Sequence, residues 1–399
     1  MNKADQKFSS HILSATSDVE IFRNSKVAKA VYLSKQETAN SQFKNIEFTK
    51  QYAAVRKWKA IENLDKYLIE FEANFIKSGG KVLWARDKEE AQKEISNLLK
   101  KNFSKEVYYA CAELGDEIQL SEQLNKDEVK SVSLNDTGAL TSTVIAEANY
   151  FIADPGAIAF MDYTGKLQQA TSKARCIVAI ASITDVLHNL TDLNLFIPLT
   201  SSYTKGETIN RNTSLLFGSR KTDETEGVQQ LYLLLIDNGR SNILADEKAR
   251  QTARCIKCGA CAKVCPVSNT TGETEGVYEG PVNAIQAPII KGYEKYKHLA
   301  QASTLCGVCT EVCPVNINLH ELFIHNRKQI VNRQLNTQKE KWFYLLWKKT
   351  MLNRDKYSLG AFNSNKIVME TVYEKVWGTK ENRPAFAKKS FNEMWKERT

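Results

Sequence analysis

The chain of 399 residues is 42% apolar, which is enough for a buried core, and its length favours two or three domains. Its formal net charge is +9, but no arginine-rich array or RNP-like aromatic motif accompanies this surplus, so no nucleic-acid partner is expected. No apolar run approaches the roughly 20 residues that cross a bilayer, and the N-terminus lacks the apolar stretch of a signal peptide. We therefore expect a cytoplasmic globular protein without a membrane span.

The first third of the sequence alternates helical and strand patterns. Residues 58–80, WKAIENLDKYLIEFEANFIKSGG, place apolar residues at spacings of three and four before a double glycine, which predicts one amphipathic helix. KVLWA at 81–85 predicts a short strand, and Asp87 is a candidate N-cap for a helix over 87–102. This order indicates an α/β domain.

Strand character rises between residues 128 and 240. EVKSVSLND at 128–136 predicts a strand, and the runs CIVAIA and LYLLLI are typical of strands covered on both faces. In YFIADPGAIAFMD, the Asp154-Pro155-Gly156 sequence predicts a turn between two strands. We expect helices to flank this sheet, followed by a polar helical connector over 240–255.

Seven of the nine cysteines lie close together. CIKCGACAKVCP, residues 255–266, has the C-x2-C-x2-C-x3-C-P spacing of bacterial ferredoxins, in which three cysteines hold one [4Fe–4S] cluster and the fourth ligates a second. LCGVCTEVCPV, at 305–315, is similar but has one cysteine fewer. A disulfide framework suits short secreted chains, and a structural zinc site needs four ligands from two CxxC pairs. The spacing therefore favours two iron–sulfur clusters.

The ferredoxin rule divides these cysteines into two ligand sets. Cluster 1 receives Cys255, Cys258, Cys261 and Cys313, and cluster 2 receives the remaining three, which are Cys265, Cys306 and Cys309. Cluster 2 is one ligand short.

Three alternatives stand for this gap: a non-cysteine ligand, a [3Fe–4S] centre, or a ligand from a partner or substrate. Ser303 lies three residues before Cys306 and fits by position, whereas His298, His320 and His325 are weaker candidates. An open iron could also act as a Lewis acid.

Other candidate residues lie outside the motifs. Cys111 and Cys176 are expected to be inert buried thiols. Arg220 and Lys221, in the Gly-punctuated segment 215–228, form either an anion-binding loop in the crevice at the carboxyl end of the sheet or a solvated loop. No GxGxxG follows a strand, so a bound dinucleotide is not expected, and no catalytic residue is assigned.

The patterns divide the chain into four segments: an N-terminal extension over 1–50, the α/β domain over 51–245, a dicluster domain over 246–335 and a basic aromatic tail over 336–399. The 40 residues between Cys265 and Cys306 have helical patterns, which predicts an all-helical dicluster domain.

The tail contains two helical patterns and a looser part with Gly360, Gly378 and Pro384. Its helical patterns place large aromatic side chains among basic residues. These aromatics either pack on their own domain or bind an acidic partner. They are Trp342, Phe343, Trp347, Phe391 and Trp395.

From about residue 50 to the C-terminus the sequence resembles lactate utilization protein B, the iron–sulfur subunit of the bacterial L-lactate utilization system. The resemblance rests on CIKCGACAKVCPV, GVYEGPVNAIQAP, STLCGVCTEVCPV, LLLIDNGRSNIL and KKSFNEMWKER. It implies a LUD domain, similar in fold to ribose-phosphate isomerases and CoA transferases, followed by a helical ferredoxin domain. It also implies that Ser303 is a family trait.

The resemblance further implies that the chain transfers electrons in a complex that converts L-lactate to pyruvate. The implied partners are a cysteine-rich subunit similar to heterodisulfide reductase and a second LUD-domain protein. Other 2-hydroxy acids, or a non-redox ligand-binding role with structural clusters, are the alternatives. The sequence departs from the family in two places. The segment over 106–136 is shorter than in the family, and the turn sequence IADPGAI replaces the usual one, of which only Gly156 matches.

Overall fold

The computed structural model describes residues 19–102, 104–132, 142–271, 279–353 and 391–398. Residues 1–18, the later part of the strand predicted at 128–136, and the tail around Gly360, Gly378 and Pro384 lie outside the described residues. The chain divides into two compact units, Met1–Ile330 and Val331–Thr399.

Helices occur along both units. In the first, they are α1 (Val19–Asn40), α2 (Ile46–Glu62), α3 (Leu64–Lys77), α4 (Lys88–Lys101), α5 (Glu113–Glu117), α6 (Leu120–Lys126), α7 (Lys166–Lys173), α8 (Leu193–Lys205), α9 (Arg240–Ala245), α10 (Ala260–Val264), α11 (Pro266–Thr271), α12 (Pro281–Lys291), α13 (Tyr293–Gln301), α14 (Val308–Val312) and α15 (Leu319–Asn332), whose last two residues belong to the second unit. The second also contains α16 (Gln338–Met351) and α17 (Phe391–Lys396).

Among the residues that the structure describes in the first unit, ten strands form two sheets. They are β1 (Lys81–Ala85), β2 (Glu106–Ala110), β3 (Lys130–Val132), β4 (Thr143–Glu147), β5 (Tyr150–Asp154), β6 (Ala157–Met161), β7 (Cys176–Ser182), β8 (Val186–Asn189), β9 (Thr213–Leu216) and β10 (Gln230–Ile236). The large sheet has the order β1-β10-β7-β4-β2-β3 with every pair parallel. The small sheet has the order β8-β5-β6-β9.

The small sheet confirms the turn predicted at Asp154-Pro155-Gly156. β5 and β6 pair antiparallel across it, and the Asp154–Pro155 peptide bond is cis. Gly156 has φ +82°, and a Cβ there would lie 2.6 Å from the backbone nitrogen of Phe75. The turn therefore requires glycine both for its left-handed backbone and for its close approach to α3.

The predicted helix over 58–80 is interrupted. α2 ends at Glu62 and α3 begins at Leu64, with Asn63 between them at φ −116° and ψ 30°. The Asn63 side chain donates to the carbonyl of Lys59 at 2.8 Å, a local bond that competes with helix propagation. The apolar periodicity continues across the break, which is why the pattern predicted one helix.

In the part of the chain that the structure describes, buried apolar side chains form three core clusters. Side chains alternate along β10, so Leu231 and Leu233 face the small sheet and α3, whereas Tyr232 and Leu234 face α4, α5 and α6. Each of these fully buried leucines contributes about 2 kcal/mol. The opposite face of the small sheet, including Tyr150, belongs to a third cluster.

This third cluster joins the α/β domain to the cysteine segment. Its buried members include Tyr150, Ile152, Phe196, Leu199, Cys258, Cys265, Cys309 and Cys313. The cysteine segment is therefore packed on the outer face of the small sheet and on α8, because it shares their apolar core.

In the second unit, α16 begins at a capping box in which Thr337 and Glu340 each accept from the other's backbone N–H. Its large side chains are exposed, with Trp342 at 72% and Trp347 at 52%. Phe343, Phe391 and Trp395 are exposed as well. Among the described residues, no helix has the length and apolar character needed to span a membrane.

Candidate iron–sulfur site

The two cysteine motifs fold alike, with equivalent positions a constant 48 residues apart. Lys257 and Leu305 both adopt left-handed backbone, at φ +53° and φ +57°. A left-handed glycine, Gly259 or Gly307, then starts each short helix, α10 or α14. These two helices pack against each other, so the motifs form one paired unit.

Four thiols form the first group. Burial, followed by the charges of Cys255, Cys258 and Cys313, raises the pKa of Cys261 well above its usual range. Burial raises the pKa of Cys255, and the charges of Cys258 and Cys313 raise it further. These charge effects link the four thiols across both motifs, and their assignment to cluster 1 stays a prediction.

The second group contains the other three thiols. Burial, followed by the charges of Cys265 and Cys306, raises the pKa of Cys309 to about 11. Cys265 ends the first motif helix and lies in the same apolar cluster as Cys309, whereas Cys306 is exposed. The ferredoxin rule predicts that one cysteine of each motif ligates the cluster of the other motif, and for these three thiols this assignment stays a prediction.

The chemistry of these thiols suits iron–sulfur clusters. All seven are free cysteines. Burial raises the pKa of Cys258 to about 12, so this thiol stays protonated at neutral pH unless a bound metal centre favours the thiolate. Backbone amides already point at the sulfurs: the N–H groups of Lys257 and Ile317 donate to Cys255 Sγ and Cys313 Sγ, both at 3.4 Å. Such donors stabilise bound thiolates.

Zinc would require a different arrangement. Within the part of the chain that the structure describes, no three His, Cys, Asp or Glu side chains are placed to bind a single ion. Four thiolates at about 2.3 Å from one zinc would have to converge on a point. A multi-iron cluster takes each thiolate on a different iron, so its ligands need not meet.

The candidates for the fourth ligand of cluster 2 have defined surroundings. Ser303 Oγ accepts the N–H of Leu305 at 3.1 Å. His320 Nδ1 is 2.9 Å from Thr310 Oγ1, and His325 Nε2 is 2.9 Å from Asp246 Oδ2. His298 stacks on the ring of Tyr296. These contacts occupy Nδ1 of His320 and Nε2 of His325.

Basic side chains from the N-terminal helices hold both motif helices. Lys29 of α1 donates to the carbonyl of Val264 at 3.2 Å, and Lys50 of α2 donates to the carbonyl of Glu311 at 2.8 Å. Each carbonyl lies at the C-terminal end of its motif helix, where a positive charge is favourable. The described part of the 1–50 segment is thus packed against the cysteine motifs.

Sequence reasoning missed a charged contact between the first motif and the large sheet. Lys257 Nζ lies 2.8 Å from Asp185 Oδ2 and 3.4 Å from Glu147 Oε1. Glu147 ends β4 and Asp185 follows β7, both at the carboxyl edge of the sheet. Burial lowers the pKa of Lys257, but the charges of Asp185 and Glu147 outweigh it and raise that pKa above its usual value.

A second lysine, Lys57, holds the backbone around Asp185. It is fully buried, and its Nζ donates to the carbonyls of Thr184 at 2.8 Å and Val186 at 3.2 Å, on either side of Asp185. Burial lowers its pKa to about 8, against an opposing effect of Asp185. The only sequence signals for this network are charged residues at predicted strand ends and a lysine inside the first motif.

The loop with Arg220 and Lys221 lies at the opposite edge from the one expected. It precedes β10, and a Cβ on Gly218 would lie 1.8 Å from the carbonyl oxygen of Ser78, shortly before β1. This is the amino edge of the parallel sheet, so the expected position at the carboxyl edge was wrong. Both residues are exposed, and Arg220 donates to the carbonyl of Thr225 at 3.0 Å. The anion-binding role stays a prediction.

The two isolated cysteines lie on the large sheet. Cys111 follows β2, and Cys176 starts β7, where it is buried. Burial and then the charges of Glu147 and Asp116 raise the pKa of Cys111. High pKa values make thiols poor nucleophiles, which agrees with the inert role expected for them.

Comparisons with known proteins now identify both regions. Residues 68–236 match the family model described as LUD domain, and residues 251–317 match the model described as 4Fe-4S dicluster domain. Lactate utilization protein B of Geobacillus sp. (strain WCH70) is 26% identical, with 69% of this chain and 70% of that protein covered. Lactate utilization protein B of Bacillus subtilis (strain 168) is 27% identical, with 69% of each chain covered.

Lactate utilization protein B 1 of Bacillus mycoides (strain KBAB4) is 27% identical, with 73% of this chain and 75% of that protein covered. Among solved structures, a duf162 family protein from Deinococcus radiodurans has a TM-score of 0.33 and 13% identity, over 43% of this chain and 98% of that one. The chain therefore carries a LUD domain with an α/β sheet core followed by a 4Fe-4S dicluster domain, and it resembles the lactate utilization protein B family.

Proposed function

We propose that this protein is the iron–sulfur electron-transfer subunit of a cytoplasmic complex that oxidises L-lactate to pyruvate. The observation that carries the proposal is the pair of thiol groups, Cys255/Cys258/Cys261/Cys313 and Cys265/Cys306/Cys309, drawn from two interlocked motifs. The relatives named lactate utilization protein B support the substrate. We also propose that the dicluster domain is all-helical and that the LUD domain has the fold of ribose-phosphate isomerases and CoA transferases.

Oxidation of L-lactate to pyruvate releases two electrons and two protons. Iron–sulfur clusters, when bound, accept and release electrons one at a time. The chain's own residues would hold them: the seven thiolates would bind iron, backbone N–H groups donate to the sulfurs of Cys255 and Cys313, and the core shared with β5 and α8 would exclude water. The proton-accepting base and the first electron acceptor are assigned to partner subunits, since no residue here is identified as catalytic.

The proposed partners are a cysteine-rich subunit similar to heterodisulfide reductase and a second LUD-domain protein. In the test, the full-length protein is purified anaerobically with both partners, and L-lactate-dependent dye reduction is measured. We expect reduction that needs all three proteins and bleaches the cluster absorbance of this subunit. If the three proteins together show no L-lactate-dependent dye reduction, the substrate assignment is refuted.

The alternatives predict other outcomes of the same experiment. Reduction by another 2-hydroxy acid, and not by L-lactate, would indicate a carrier for a different oxidation. Clusters that stay in one oxidation state at every physiological potential would indicate a non-redox ligand-binding module. EPR spectra of oxidised and reduced protein distinguish this last outcome directly.

We further propose that α16 binds an acidic surface of a partner subunit. Trp342, Phe343 and Trp347 are exposed, and Lys341, Lys348 and Lys349 belong to the same helix. Large aromatic side chains are typical anchors of protein interfaces, and surrounding positive charge favours a negatively charged partner. Within its own unit, α16 leaves these side chains exposed, and this exposure supports the proposal.

Truncation after Gln338 tests this proposal. We expect the truncated protein to keep its iron and its melting temperature but to lose co-purification with the partners. Association of the full-length chain should weaken as salt rises, because exposed charges are screened. Aggregation or iron loss on truncation would show that the tail belongs to the protein's own core and would contradict docking.

A further inference from the structure

The duplicated motifs place Ser303 where the first motif has a cluster ligand. Lys257 N–H donates to Cys255 Sγ, two residues earlier, at 3.4 Å. In the second motif, Leu305 N–H donates to Ser303 Oγ, also two residues earlier, at 3.1 Å. Lys257 and Leu305 share the same left-handed backbone. The hydroxyl of Ser303 therefore has the same relation to its motif as the thiol of Cys255 has to the first.

We propose that Ser303 Oγ is the fourth ligand of the cluster held by Cys265, Cys306 and Cys309. A residue that accepts the same amide, at the same step before the same left-handed turn, presents its side chain toward the same cluster corner. Cys255 belongs to the group of thiols completed by Cys313. By the repeat, Ser303 belongs to the group completed by Cys265.

The surroundings of Ser303 fix its position. Arg327 of α15 donates from Nη2 to the carbonyl of Ser303 and from Nε to the carbonyl of Ala300, both at 2.8 Å. The end of α13 and the start of the second motif are thereby tied to α15. The other nearby candidates, His320 and His325, contact Thr310 and Asp246 instead.

The chemistry of such a ligand is balanced without any redox partner. The Oγ–H bond breaks, the proton leaves to solvent, and an O–Fe bond forms with no change in oxidation state. Leu305 N–H then donates to an anionic oxygen, a stronger hydrogen bond than the one to a neutral hydroxyl. Because oxygen is a harder donor than thiolate, it stabilises the more oxidised irons, so this cluster has a lower potential than an all-thiolate version would have.

The proposal is tested with Ser303→Ala and Ser303→Cys in the full-length, anaerobically purified protein. Thr304→Ala is the matched control, since Thr304 is the exposed neighbour of Ser303. Iron per chain, EPR spectra and midpoint potentials of both clusters are measured. We expect Ser303→Ala to lose one iron and to show a [3Fe–4S] signal on oxidation. Ser303→Cys should keep its iron and raise the potential of one cluster only.

The proposal is overturned if Ser303→Ala keeps the iron content and spectrum of the unaltered protein. It is also overturned if the unaltered protein itself shows a [3Fe–4S] signal, or if Ser303→Cys leaves both potentials unchanged. Ser303→Cys keeps the test decisive should Ser303→Ala fail to fold. None of these measurements depends on L-lactate, so the result stands apart from the substrate assignment.

Discussion

Cys258→Ala and Cys309→Ala should each lose the iron of one cluster and destabilise the dicluster domain. Each residue belongs to a different group of thiols and is buried. A bound metal centre contributes its binding free energy to folding, on the order of 10 kcal/mol for structural metal sites. Iron content and thermal unfolding under anaerobic conditions measure both effects.

Cys111→Ala is the control for these two variants. Cys111 lies beside the large sheet, and its pKa is raised by burial and by carboxylates rather than by cluster cysteines. It should keep all iron and the spectrum of the unaltered protein. Unchanged iron content in both Cys258→Ala and Cys309→Ala would refute the ligand assignment for both clusters.

Lys257→Met should destabilise the protein by about 3 kcal/mol and lower the potential of cluster 1. The substitution leaves Asp185 and Glu147 without their cation, although their side chains are only 4% and 11% exposed. Two unpaired carboxylates beside the cluster disfavour the added electron, because net charge near a cluster shifts its potential. A fall of about 60 mV, equivalent to a tenfold change for one electron, would be resolved by an EPR-monitored redox titration.

Two variants separate charge from packing. Lys257→Arg keeps the charge and should recover most of the potential. Asp185→Asn removes a negative charge and should raise the potential, opposite in sign to Lys257→Met. Cluster 2 in the same molecules serves as an internal reference. If the potential of cluster 1 stays fixed in all three variants, the LUD domain has no electrostatic influence on that cluster.

Much of the site could be predicted from local patterns. The spacing of Cys255, Cys258 and Cys261 on one loop defines three ligands of one cluster, because backbone reach limits which thiols can meet. The turn at Asp154-Pro155-Gly156 was likewise predictable, since its residues favour a bend between two short apolar runs. Both signals lie within about a dozen residues.

The parts that could not be predicted depend on contacts between distant segments. Lys257 contacts Asp185 and Glu147, which lie 72 and 110 residues away in the sequence, so no local pattern could reveal the pairing. The expected position of Arg220 rested on the general rule that open α/β sheets bind ligands at their carboxyl edge, whereas its loop precedes β10 and lies at the amino edge. Apolar periodicity also could not locate the break at Asn63, because the apolar face continues through it.

The constant offset between the two motifs means that the chain uses one local structure twice. The shared element is the scaffold: a left-handed turn, a glycine, a short helix and a terminal cysteine. The two halves differ in several side chains: Cys255 corresponds to Ser303, and Lys257, which pairs with Asp185, corresponds to Leu305, which carries no charge. The repeat therefore places two differently charged surroundings on one backbone scaffold, so that electrostatics can distinguish two sites of the same local shape.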